Sequence, residues 1–196
     1  TSSGSGKVGY FAGCMTSLSP RILHSMDRIF ESARENVWNA DRDGGICCGR
    51  PLMLAGDIDG ARKMMQMNTE LFRKHQIETL VTSCPICLKV FKEEYNLQGI
   101  RVLHHSEYIL ELISQGRLSV KNNGNLVTYH DPCELGRGCG IYEEPRSVLK
   151  RVTNLQKTKY QKDKSVCCGF NLGNTVLSVE QDNPPEVAAM IGTSIA

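Results

Sequence analysis

Nine cysteines, at positions 14, 47, 48, 84, 87, 133, 139, 167 and 168, are the residues of this chain with the most chemistry to offer. Two stand side by side in Cys47-Cys48-Gly49, and the same tripeptide returns as Cys167-Cys168-Gly169. Adjacent thiols make poor partners for each other, because a vicinal disulfide closes a small ring far from ordinary disulfide geometry. They also miss the two-to-four-residue step of common zinc sites. A secreted disulfide framework fits badly with 196 residues, an odd cysteine count and a start without a secretory signal pattern. Metal-binding thiolates are the better use of the set.

The spacing repeats. Cys14 precedes Cys47 by 33 positions, Cys133 precedes Cys167 by 34, and the two groups are offset by 119 to 120. The first unit reads C-x32-C-C-G, followed later by Cys84-Pro85-Ile86-Cys87. Five sulfurs exceed the four that a tetrahedral zinc or a cubane iron–sulfur cluster requires. Where several metal atoms share a site, neighbouring thiolates can bind different ones, so adjacency becomes useful. Glycines beside the pair let the backbone approach and donate N–H groups to sulfur. The main rival is a redox-silent structural zinc on four of the thiolates. The offset puts the counterparts of Cys84 and Cys87 past Ala196, so the second unit is expected to be truncated or degenerate.

Strands and helices must deliver these sulfurs. "KVGYF" (7–11) reads as a strand ending near Cys14, and the apolar spacing of Ile22, Met26, Ile29, Phe30, Ala33 and Val37 predicts a helix over 19–37. A second helix is expected over 57–75, with Ala61, Met64, Met65, Asn68, Leu71 and Phe72 on its inner side. "IETLVTSC" (77–84) is a buried strand that presents Cys84 at a helix start marked by Pro85. Strand 100–105 and helix 106–115 follow, then a turn or linker at 121–125. "LVTYHDPC" (126–133), the helix "EEPRSVLKRV" and the loop "SVCCGFNLGN" repeat the scheme. Strands alternating with helices predict an α/β fold of two related units, each a short, mainly parallel sheet with flanking helices. In such sheets, sites gather outside the carboxyl ends of the strands. The expected segments are a linker or tag at 1–6, a first unit at 7–120 and a second at 121–196.

With these residues in view, the chain resembles the CCG, or cysteine-rich, domain that is repeated in one of the subunits of heterodisulfide reductase. Similar domains occur in iron–sulfur subunits of glycolate oxidase, anaerobic glycerol-3-phosphate dehydrogenase and lactate-utilisation oxidoreductases. "YHDPCELGRG" with the later "CCGF" is similar to the second unit of those proteins. The resemblance implies Cys14, Cys47, Cys48, Cys84 and Cys87 as ligands of a non-cubane 4Fe-4S type cluster. For the second unit it implies Cys133, Cys167 and Cys168 only, and the missing C-x-x-C leaves a smaller cluster, zinc or an empty pocket open there. It also implies an iron–sulfur redox subunit of a larger oxidoreductase, working by disulfide reduction or electron transfer. The alternative is a non-catalytic electron relay, or a zinc-bound docking module for a flavoprotein.

The remaining expectations concern surroundings. A net charge of +2 and a single Lys-rich run at 157–164 argue against nucleic acid as partner. No G-x-G-x-x-G fingerprint stands between a predicted strand and a helix, the one such string, Gly4 to Gly9, running from the expected linker into the first strand. Electrons are therefore expected from a flavin- or ferredoxin-containing subunit, with a disulfide or electrons derived from a 2-hydroxy acid on the substrate side. No apolar run reaches bilayer length, so a cytoplasmic protein is expected, peripheral membrane association being compatible. His104, His105 and His130 are weighed as proton donors near the site and expected as packed or solvated side chains. Arg50 is weighed as a charge-balancing or anion-binding group, Cys139 as a thiol outside the repeat, and Trp38 as core.

Overall fold

The computed structural model describes residues 7–17 and 19–167. Cys168, most of the second double-cysteine loop, the tail and the expected linker 1–6 lie outside the described residues. The chain divides into two compact units between Lys121 and Asn122.

The first unit is built on four parallel strands, β1 (Val8–Phe11), β2 (Val37–Asn39), β3 (Thr79–Thr82) and β4 (Arg101–His104), in the order β2-β1-β3-β4. Parallel neighbours require long crossovers. These are supplied by α1 (Cys14–Ser17), α2 (Pro20–Ser32), α3 (Arg50–Leu54), α4 (Ile58–Lys74) and α5 (Pro85–Glu93), while α6 (His105–Ser114) follows β4. The central strands β1 and β3 are buried along most of their length and read as nearly continuous apolar runs. From β1 the chain crosses to β2 on one side and then returns to β3 on the other. That reversal makes the carboxyl ends of β1 and β3 a topological switch point, where open α/β sheets place ligands.

The helix expected over 19–37 ends early, at Ser32, and its last apolar position, Val37, starts β2 instead. Two reverse hydrogen bonds close α2, from Glu35 N–H to the Phe30 carbonyl and from Arg34 N–H to the Glu31 carbonyl. They force Arg34 into the left-handed region at φ 55°. Glycine usually fills that position, so an arginine there gives no stop signal. Gln76 ends α4 in the same way at φ 54°. At its start, Asp57 caps α4 by accepting the Gly60 N–H at 2.9 Å. Asp57→Ala is expected to cost about 1 kcal/mol in urea unfolding followed by circular dichroism.

An aromatic core lies beneath the sheet edge. Phe91 packs edge-on against Phe11 (4.9 Å), Phe72 (5.9 Å) and Tyr95 (4.8 Å between centroids). Trp38 joins this cluster from β2, as expected of a core residue, and so do Cys48 and Cys87.

The second unit pairs β5 (Leu126–Thr128) with β6 (Asn154–Gln156) in parallel, connected through α7 (Glu143–Val152). A π-helical turn, Glu134–Gly138, follows directly on Cys133. Both units therefore carry the α/β pattern of short parallel sheets with flanking helices.

Candidate functional site

The first unit brings its cysteines to one sheet edge from four places in the chain. Cys14 opens α1 just past β1, Cys47 and Cys48 lie in the loop between β2 and α3, Cys84 caps α5 just past β3, and Cys87 sits in the first turn of α5. Gly13 packs directly on the last two. A Cβ placed there would lie 3.1 Å from the Cys87 sulfur and 3.3 Å from the Cys84 Cβ, and its φ of +86° disfavours any side chain. Cys14 is exposed, Cys47 and Cys84 are half-buried, and Cys48 and Cys87 are each only 3% exposed. None of these five forms a disulfide.

Four of the sulfurs form a line of contacts. Cys47 interacts with Cys48, and Cys87 interacts with both Cys48 and Cys84. These interactions hold Cys48 well below the usual thiol range and lower Cys84 as well, against the opposing effect of burial. Their partners, Cys47 and Cys87, are pushed up by the same interactions and then by burial. Main-chain amides add to the pattern. The N–H groups of Cys87 and Ile86 at the start of α5 favour the Cys84 thiolate, and that of Arg50 favours the Cys48 thiolate. Cys14 acts on Cys47 through charge.

The turn after the cysteine pair depends on Gly49, whose φ of +96° lies in the left-handed region. Gly49→Ala is expected to cost about 1–2 kcal/mol in thermal unfolding. Asp41, which sequence reasoning does not single out, fixes the approach to Cys14 by accepting the N–H groups of Ala12 (2.7 Å) and Gly13 (3.2 Å). It stays hidden because β2, which delivers it, starts at Val37, the last position of an apolar pattern of helical period. Thr82 accepts the Cys84 N–H at 3.2 Å. Asn68, expected only as an inner-face position of α4, and Tyr95, not singled out at all, both reach the Cys47–Cys48 backbone. A lone amide in an otherwise apolar helical stripe is the visible signal for Asn68.

The other sequence candidates fall into structural places. His104 ends β4 and caps α6, its Nδ1 facing Ser106 Oγ at 2.8 Å while its N–H donates to Glu107 at 2.8 Å. Burial, then the adjacent His105, pushes the His104 imidazole well below its usual range, and burial lowers His105 to about 4. The two are packed neutral side chains, their rings 4.1 Å apart. Arg50 reaches the site through its backbone amide.

In the second unit the sulfurs of Cys133 and Cys167 stand 3.9 Å apart. The segment before Cys167 is pinned beside Cys133 by three side chains. His130 Nε2 pairs with the Val166 carbonyl (2.8 Å), Arg137 donates to the Ser165 carbonyl (2.7 Å), and Asp131 accepts the Lys162 N–H (2.7 Å). Cys139, at the end of the π-helical turn, is half-buried.

Among the described residues, no three His, Cys, Asp or Glu side chains close around a single point where one metal ion would sit. The first-unit sulfurs are strung along an edge instead, with amides pointing at two of them. The chemistry of this donor set, five thiols brought to one sheet edge, fits a thiolate-bound metal group. Among the described residues, no helix is long and apolar enough to cross a membrane.

Comparison with known proteins gives the same pattern. The family model described as "Cysteine-rich domain", CCG, matches residues 8–92 and 127–184. The chain is 30% identical over 190 residues to a subunit of the fumarate reductase (CoM/CoB) of Methanothermobacter marburgensis, covering 95% of this chain and 36% of that protein. It is 30% identical to an uncharacterized iron–sulfur protein of Methanocaldococcus jannaschii, covering 97% and 36%. It is 28% identical to a subunit of the dihydromethanophenazine:CoB–CoM heterodisulfide reductase of Methanosarcina mazei, covering 85% and 43%. The chain thus spans less than half the length of these relatives. No solved structure matches it.

Proposed function

This chain belongs to the CCG cysteine-rich domain family, and on that premise we propose that it is an iron–sulfur redox module of a larger oxidoreductase. Cys14, Cys47, Cys48, Cys84 and Cys87 would hold the cluster, by resemblance a non-cubane 4Fe-4S type. The observation that supports this most is the gathering of five cysteines at the β1/β3 switch point, four of them interacting through their thiols. Such a cluster, when bound, supplies one-electron acceptor and donor chemistry.

The chain's own residues supply the setting. Cys48 and Cys87 root the site in the aromatic core, where the surroundings are apolar. The amides of Ile86, Cys87 and Arg50 offset negative charge on sulfur, a lever that tunes reduction potential. Cys14, exposed at the rim, leaves one side of the site open to solvent or a partner. We assign a flavin- or ferredoxin-containing subunit as electron donor and a disulfide as the substrate class. The similarity to a heterodisulfide reductase subunit supports that choice. Cys133 and Cys167, with Cys168, are the corresponding ligand set of the second unit, for zinc or a smaller cluster.

The test is anaerobic reconstitution with iron and sulfide, followed by metal and acid-labile sulfide analysis and electron paramagnetic resonance. A brown protein with iron and sulfide bound is the expected result. A colourless protein that retains only zinc overturns the proposal. Oxidation of a reduced viologen dye by a small disulfide then separates an enzyme from a relay.

A further inference from the structure

The buried side chains of Asn68 and Tyr95 form a small polar network in the aromatic core, and all of it is directed at the cysteine pair. Asn68 is fully buried on α4, and its Oδ1 accepts the Ile46 N–H at 3.1 Å. Its Nδ2 faces three acceptors: the Ile46 carbonyl (3.1 Å), the Cys47 carbonyl (3.2 Å) and the Tyr95 hydroxyl (3.0 Å). Tyr95, just past α5, donates its hydroxyl proton to the Cys48 carbonyl at 3.1 Å. Three successive carbonyls, those of Ile46, Cys47 and Cys48, are thereby captured on one side of the loop. An extended chain would alternate them. The next two amides, Gly49 and Arg50, are left facing the Cys47 and Cys48 sulfurs.

An apolar residue at either position would pack in this core without the cost of burying polar groups. Every hydrogen bond that leaves the Asn68–Tyr95 pair ends on the backbone of residues 46–48. The network links the two helices that flank the site, α4 through Asn68 and the end of α5 through Tyr95, to the loop of the first unit that carries adjacent thiols.

We propose that Asn68 and Tyr95 are positioning residues for the bound cluster: they hold the Cys47–Cys48 main chain so that both sulfurs and the amides behind them keep one geometry. This rests on the iron–sulfur reading, since the geometry matters most when metal is bound. Partners that orient metal ligands typically contribute about 10–100-fold to metal retention.

Tyr95→Phe is the informative variant, because it removes one hydroxyl and keeps the ring packed on Phe91. In the metal-free protein under argon, alkylation of each cysteine is followed by peptide mass spectrometry. Cys47 and Cys48 are expected to label about two- to tenfold faster in the variant, as the loss of one hydrogen bond to their backbone allows, while Cys84 and Cys87 keep their wild-type rates. In the reconstituted protein, iron loss to a chelator is expected to accelerate about ten- to hundredfold with an altered paramagnetic resonance spectrum. Asn68→Asp, which turns the donor into an acceptor facing three carbonyl or hydroxyl oxygens, is expected to act in the same direction and more strongly. Uniform acceleration of all cysteines, or none, overturns the proposal, as does an unchanged spectrum with unchanged iron loss. If the wild-type protein takes up no iron, the iron–sulfur reading falls, and the labelling pattern still decides whether the clamp exists.

Discussion

Cys87→Ala is expected to give a folded protein that has lost roughly a hundredfold in iron retention, the upper end of what even an outer-sphere partner contributes. Cys87 is the hub of the first-unit sulfurs. Its thiol contacts both Cys48 and Cys84, and Gly13 lies against it. Removing it separates the pair in the β2–α3 loop from the cysteine at the end of β3. Alanine fits the space, and the small void it leaves is bounded by residues of a core rich in aromatic side chains. The far-ultraviolet circular dichroism should therefore change little while iron and labile sulfide per chain collapse. Cys139→Ala, in the second unit and outside the repeat, is the matched control and should load as wild type. Equal loading of both variants would remove Cys87 from the ligand set.

A comparably large effect, on stability, is expected in the second unit from Arg146→Ala. Asp131 and Arg146 are 3% and 6% exposed and form a double ion pair with both oxygens at 2.5 Å. Arg146 also donates to the Tyr142 carbonyl at 2.8 Å and lies over the Tyr129 ring at 5.1 Å. Breaking a buried pair by removing one partner typically costs about 3–5 kcal/mol, because the remaining charge stays buried and uncompensated. Asp131→Leu combined with Arg146→Met should recover much of that loss, since neither charge is then stranded. Urea unfolding of the two variants separates the outcomes. The pair also predicts acid sensitivity. Burial raises the Asp131 carboxyl, but the bonds from Arg146 and the Lys162 amide outweigh it, so its folded pKa lies below the usual 3.8. A depressed carboxylate contributes stability above its unfolded pKa and loses it as pH falls through the lower folded value. Wild type should therefore lose this contribution only below about pH 4, near the unfolded carboxylate value, and Asp131→Leu/Arg146→Met should show no such step.

Much of this molecule is legible without coordinates. Apolar runs in front of Cys14 and Cys84 announce the two central strands, and Asp57 and Pro85 announce two helix starts. The repeated CCG spacing singles out the five first-unit cysteines, which the fold assembles at one edge. Three things escape. Arg34 ends α2 without the glycine that would signal it, so Val37 reads as the last helical position, and the three-residue β2 goes unseen together with Asp41 behind it. β6, a three-residue strand flanked by polar residues, is too short to show a period. The hydrogen-bonded support of Asn68 and Tyr95 joins positions far apart in the chain, and no local pattern carries that information. Spacing identifies the thiols; only the sheet order explains why they meet.

The β2-β1-β3-β4 order also sets a timetable. Phe11 pairs with Thr82, and this pairing closes a loop that contains α1, α2, β2, α3 and α4. Closing so long a loop carries an entropy cost that only later contacts repay, and such non-local parallel pairing is slow. During synthesis, Cys14, Cys47 and Cys48 emerge well before Cys84 and Cys87 exist to meet them. Until β3 docks beside β1, the chain holds scattered thiols with no common place for metal. On the iron–sulfur reading proposed above, metal would load into this unit only after β3 has docked beside β1.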